Sequence, residues 1–99
     1  MALRYLIKAR AQSEITRAAQ WWADNRQAAP GALRIELEQA LALLVEHPCA
    51  GMRVRTPRPG EVRRFLLLRT QYFLYYRVRE RQLEVLALWH ASRGAGPSV

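Results

Sequence analysis

The chain of 99 residues has one cysteine, two histidines and a single lysine, Lys8. Cys49 alone cannot close an internal disulfide, which fits a reducing compartment. Beside Pro48 and Gly51 it reads as a small turn residue. Two widely separated histidines, His47 and His90, and one cysteine make no metal site, so neither a metal nor a cofactor is expected. There is no glycine-rich loop to cradle phosphates. Glu36 and Glu38 are two positions apart on a helical pattern, cannot share a face, and so form no acid–base pair. No apolar run approaches the length of a bilayer span, and the first residues lack the apolar segment and small-residue cleavage site of a signal peptide. The expectation is a cytoplasmic protein that does not enter a membrane.

What the chain does have is positive charge. Sixteen Lys and Arg stand against eight Asp and Glu, a formal net charge of +8, and all the cations but Lys8 are arginine. Arginine binds carboxylate and phosphate through a planar fork, so the natural partners are nucleic acid or an acidic protein. At 51% hydrophobic, the composition supports one real core rather than a disordered chain, and the length suits one domain.

Glu61–His90 reads EVRRFLLLRTQYFLYYRVRERQLEVLALWH. Its apolar runs Val62–Leu68, Tyr72–Val78 and Leu83–Trp89 are broken by Arg69–Gln71 and Arg79–Gln82, the pattern of a three-stranded antiparallel meander. Such a sheet needs a cover, and the residues before Gly51 supply one. Leu3, Tyr5 and Ile7 alternate with Arg4, Leu6 and Lys8, as in an edge strand. From about Ala11 to Asn25, Ile15, Ala18, Ala19, Trp22 and Ala23 fall on one helical stripe, with Glu14 expected in the first turn. Trp21 flanks that stripe and is free to pack on the next helix or to reach a partner. A second helix runs from Pro30 to about Glu46, with Leu33, Leu37, Ala40, Leu41, Leu44 and Val45 at helical spacing, and Pro48 ends it. The expected fold is α+β in two layers: a helical hairpin packed on a small antiparallel sheet, in the order β-α-α-β-β-β. One domain spans residues 1–93, followed by a flexible tail, 94–99.

Strand alternation separates the two sheet faces. Leu74, Tyr76, Val78, Leu83, Val85, Ala87 and Trp89 are expected to face the helices. Phe73, Tyr75, Arg77, Leu86, Leu88 and His90 are expected on the other face, part apolar and part basic, which suits a partner. The loop CAGMRVRTPRPG, with Arg53, Arg55 and Arg58 and a short strand near Met52–Arg55, is a candidate binding rim.

Several segments together resemble the RelE/ParE superfamily of toxins from type II toxin–antitoxin modules, and ParE-like (plasmid stabilisation) members more closely. They are AQWWADNR in the first helix, LEQALALLVEHPCAG at the end of the second, VRRFLLLRTQYFLYYRV in the meander, and LEVLALWHASRG at its close. The resemblance implies a cytoplasmic bacterial toxin, forming a hetero-oligomer with a cognate antitoxin whose acidic C-terminal segment meets its arginines. It also implies one of two targets: DNA gyrase, inhibited by binding, or ribosome-bound mRNA, cut as an endoribonuclease. A nuclease would draw on Arg64, Arg77, His90 and Arg93. The sequence departs from that pattern. Phe73 stands where several nuclease members carry an arginine, and no tyrosine follows Tyr76. Gyrase inhibition is therefore the expected activity, and the antitoxin- and target-binding residues are Arg53, Arg55, Arg58, Arg63, Phe73, Tyr75, Arg77, Leu86, Leu88, His90 and Arg93. A third possibility is a non-toxic interaction module or co-repressor.

Overall fold

The computed structural model describes residues 2–99. Two helices, α1 (Ala9–Asn25) and α2 (Ala32–Glu46), pack on one face of a five-stranded sheet. The strands are β1 (Arg4–Ile7), β2 (Met52–Val54), β3 (Val62–Leu67), β4 (Tyr72–Arg79) and β5 (Gln82–His90), in the spatial order β1-β5-β4-β3-β2. The expected α+β arrangement holds, with a mixed sheet. Neighbours from β2 to β5 are antiparallel, while β1 runs parallel to β5, pairing Arg4 with Gln82 and Ile7 with Val85. A parallel partner must be reached by a long crossover, and the helical hairpin is part of that crossover.

Helix α1 starts earlier than its apolar stripe suggests, with Lys8 as N-cap and no side-chain cap bond. Glu14 is thus not in the first turn, and its carboxylate is used elsewhere. Ala11, Ile15, Ala18 and Ala19 are buried under α1, and Leu33, Leu37, Leu41 and Leu44 under α2. On the sheet, Leu74, Tyr76, Leu83 and Val85 are completely buried beneath the helices, joined by Leu67 and Leu88. Each such large apolar side chain contributes about 1.5–3 kcal/mol relative to exposure.

The EHP ending of α2 and the YYRV of β4 meet at one lock. The Tyr76 hydroxyl donates to the Pro48 carbonyl at 2.7 Å and accepts from the Gly51 amide at 2.9 Å. A Cβ at position 51 would lie 2.5 Å from that hydroxyl, so the close approach requires glycine. Burial pushes the Tyr76 hydroxyl's pKa up.

Strand β5 corrects the expected faces. Its register with β4 shifts at one point, Tyr75 opposing Ala87 and Tyr76 opposing Val85, so Leu86 is an extra, bulged residue. Beyond it every side chain changes face. Ala87 and Trp89, expected under the helices, lie on the opposite side. Leu88, expected outside, is 3% exposed in the helix-side core, and His90 pairs with Tyr72 on that same side. Val78, expected in the core, sits near the end of β4 and is largely exposed.

Strand β1 pairs with β5 only as far as Val85, so the Leu88 amide lies beyond its end. The Glu14 carboxylate accepts it at 3.0 Å, 74 residues away in sequence. Glu36 does similar work at the β3–β4 turn. It accepts from the amides of Arg69 (2.7 Å) and Thr70 (2.9 Å) and from the Thr70 hydroxyl (2.7 Å).

Candidate partner-binding surface

The face of the sheet away from the helices carries a second, smaller apolar cluster. Val62, Tyr75 and Ala87 are buried there, with Val54, Phe73, Leu86 and Trp89 packed around them. Strand alternation puts these side chains together once the bulge has turned Ala87 and Trp89 outward. Phe73 and Tyr75 meet edge to face at 6.4 Å.

Arginines roof this cluster. The Arg64 guanidinium lies 4.2 Å from the centre of the Phe73 ring, and that of Arg93 lies 3.9 Å from Trp89. Arg77 donates to buried Glu84 at 2.7 Å, with Arg79 3.8 Å from the same carboxylate. The hydrogen bond from Arg77 holds the Glu84 carboxyl below the usual carboxylate range, against the effect of burial. A cation stacked on an aromatic ring keeps its edge free for a carboxylate while the ring offers apolar area. This arrangement suits an acidic partner with apolar anchors.

The C-terminal segment lies on part of this face. Residues 94–99 form no helix or strand, but Val99 packs on the cluster. The Ser98 carbonyl accepts from Arg10 at 2.7 Å, and Gly96 comes so close to Tyr75 that a Cβ there would be 2.7 Å from its hydroxyl. Tyr75, expected as a contact residue, is 2% exposed.

The remaining expected contacts differ in what holds them. Arg53 pairs with Glu61 at 2.7 Å. Arg63 is structural: it bonds Glu61 at 2.9 Å and the carbonyls of Cys49 (3.2 Å) and Gly51 (2.7 Å), pinning the turn after α2. Its hydrogen bond is the chief cause that lowers the Glu61 pKa. Arg55 and Arg58 are exposed, and among the described residues no carboxylate is within ion-pairing distance of either. Leu88 is in the core and cannot meet a partner.

Of the residues of the nuclease alternative, His90 and Arg93 line one groove, but Arg64 and Arg77 are not brought to it. Arg64 and Arg77 are on the outer face, and Arg77 is neutralised by Glu84. His90 is on the helix side at the opposite end of β4, its Nδ1 2.7 Å from the Ser92 hydroxyl. Arg93 is stacked on Trp89. His90 is thus separated from Arg64 and Arg77, and no proton-transfer pair stands beside those two arginines among the described residues.

On the helix side, sequence reasoning passed over a cleft at the end of α1. Trp21, Trp22 and Arg26 form one wall, the β3–β4 turn forms another, and Tyr72 and His90 form the floor. The adjacent WW pair is the available signal, with Trp22 expected in the core and Trp21 expected to pack on the next helix or to reach a partner.

The family model for the ParE toxin of type II toxin–antitoxin systems, parDE, matches residues 5–94. No curated protein matches the chain by sequence. Among solved structures, one described as the chromosomal ParDE TA system from P. aeruginosa is similar in fold. It has a TM-score of 0.70 at 15% identity, over 90% of this chain and 96% of that one.

Proposed function

Because this chain belongs to the ParE toxin family of type II toxin–antitoxin systems, we infer that it acts as a toxin that inhibits DNA gyrase by binding and is neutralised by a cognate antitoxin. The observation that carries this reading is the outer face of the sheet. Its aromatic cluster is roofed by Arg64 and Arg93. A net charge of +8 favours an acidic segment as the neutralising partner, laid across that face as a hetero-oligomer. Binding rather than chemistry is supported by the separation of Arg64 and Arg77 from His90, with Arg77 held by Glu84 and His90 on the other side of the sheet. A cytoplasmic location follows from such a target; among the described residues no helix is long and apolar enough to cross a membrane.

A supercoiling assay tests the reading. Purified toxin blocks gyrase-driven supercoiling of relaxed plasmid, and pre-mixing with antitoxin restores it. Normal supercoiling at a large molar excess of toxin overturns the gyrase target. New 5′ ends on translated mRNA, seen by primer extension, would move the target to the ribosome.

A further inference from the structure

We propose that the cleft at the end of α1 is a site for single-stranded nucleic acid, taking one base between its aromatic rings and the adjoining phosphates along a basic groove. The cleft itself lies on the helix side of the sheet, and Trp21, Arg26 and Arg69, on which it rests, take no part in the outer face used above, so it stands independently of the gyrase reading.

The cleft encloses about 560 Å³, within the usual range for small-molecule sites. Its rings are unusually available. Trp21 is 45% exposed and meets Trp22 edge to face at 6.0 Å, and His90 stands edge-on to Tyr72 at 4.9 Å. Its charges are all of one sign. Arg26 and Arg69 line it with no carboxylate among the lining residues. Arg26 lies 5.1 Å from the Trp21 ring centre and 5.8 Å from that of Trp22. Its side chain makes one long hydrogen bond, 3.3 Å to the Asn25 carbonyl, so most of its donors are free. An indole face with a guanidinium beside it matches a base with its phosphate.

The walls are preformed. Glu36 clamps the β3–β4 turn through three hydrogen bonds. Gln71 holds a left-handed conformation, φ 65°, costly without glycine. Its amide donates to the Leu67 carbonyl and its carbonyl accepts from the Ala91 amide, both at 2.8 Å, tying the turn to the end of β5. A fixed frame avoids ordering costs when a ligand enters.

The cleft continues past Trp21, Tyr72 and His90 into a second groove of about 440 Å³, carrying Arg17, Arg10, which also bonds the Ser98 carbonyl, and Arg93, stacked on Trp89 where the groove reaches the edge of the outer face. The groove's one carboxylate, Glu14, is already engaged by the Leu88 amide and Arg10. A free nucleotide would use the cleft alone, whereas a strand uses both, since successive phosphates need successive cations.

The test uses the purified full chain and a fluorescein-labelled hexadeoxythymidylate, followed by anisotropy, with tryptophan quenching by the unlabelled strand. The strand binds and quenches, with a log–log salt slope of about −2, the value for roughly three phosphates. Trp21→Ala weakens binding about tenfold or more, and Arg26→Gln and Arg69→Gln each about three- to tenfold. Trp21 and both arginines are at the surface, so folding is retained, as circular dichroism would verify. Arg81→Gln, which removes the same charge at the β4–β5 turn, leaves binding within about twofold. An equal loss from Arg81→Gln would mean attraction by net charge only and overturns the site. Absence of quenching also overturns it. Quenching by thymidine monophosphate as strong as by the strand, at equal nucleotide concentration, overturns the strand in favour of a free nucleotide.

Discussion

The two faces of the sheet are built from the same strands and differ in what holds them. Under the helices, Leu74, Tyr76, Leu83 and Val85 are completely buried in one continuous core. On the outer face the buried apolar side chains among the described residues are Val62, Tyr75 and Ala87, beneath stacked arginines and a tail with no regular structure. A residue on the first face serves stability. One step along the same strand, a residue on the second face is free to serve binding. Adjacent positions of β4 therefore test the division directly. Leu74→Ala should cost about 2–5 kcal/mol of unfolding free energy in urea, while its neighbour Phe73→Ala, half-buried, should cost clearly less, about 1–2 kcal/mol. Equal costs would mean that the faces are equivalent and would remove the argument for a dedicated binding side.

The division was legible for β4 and not for β5, for a simple physical reason. In β4 the small set of inward residues alternates with Phe73, Arg77 and Arg79, so a period of two is visible. In β5 the run VLALW is apolar at every position, and a one-residue bulge at Leu86 leaves no compositional trace. The alternation rule then puts Ala87, Leu88, Trp89 and His90 on the wrong faces. The contact that takes up the Leu88 amide just past the bulge, Glu14, spans 74 residues and no local pattern encodes it. The same holds for Glu36 on the β3–β4 turn and for the pairing of β1 with β5. The helices, the meander and the short strand β2 were readable because each follows from local periodicity. Among expected contacts, Phe73 lies on the outer face where alternation puts it, whereas Leu88 and His90 are displaced by the bulge and Arg63 is held as a strut.

The lock between α2 and β4 sharpens the helix-side half. Tyr76→Phe keeps the ring but leaves the Gly51 amide and the Pro48 carbonyl without their partner. An unsatisfied buried group costs about 1–3 kcal/mol, so this variant should lose about 2 kcal/mol while its unfolding m-value stays unchanged. A loss below about 0.5 kcal/mol would show that water replaces the hydroxyl there.

The outer half is sharpened by the reverse pattern. Combining Arg64→Ala with Phe73→Ala removes a stacked pair 4.2 Å apart. Binding to antitoxin, and gyrase inhibition with it, should fall about tenfold or more, as for the loss of a hot-spot pair. An unchanged titration curve in the supercoiling assay would move the active surface elsewhere.

Between the halves lies Glu84, a carboxylate on the outer side, 4% exposed and held by Arg77 and Arg79. Its folded-state pKa is depressed, mainly by the hydrogen bond from Arg77. Its contribution is therefore present above the unfolded-state value, about 4.3, and is lost as the pH falls through the lower folded-state value. Glu84→Gln should be less stable than the parent at pH 7, by about 1–2 kcal/mol, and the difference should shrink toward pH 3. A difference that stays constant across that range would assign the loss to packing.

The smallest effect should come from the tail, and it bears on how firmly the outer face is covered. One hydrogen bond, Arg10 to the Ser98 carbonyl, and the contact of Val99 hold the segment down. Arg10 also pairs with Glu14 at 3.4 Å, so removing it disturbs two exposed contacts. Exposed pairs of this kind are worth about 0–1 kcal/mol. Arg10→Gln should thus shift global stability by less than about 0.5 kcal/mol. It should still lower the backbone order parameters of residues 96–99 markedly, because a segment held by so few contacts moves on its own. If they stay as high as those of β5, the tail belongs to the folded domain as firmly as β5 does. The outer face would then be a covered surface that a partner must first uncover.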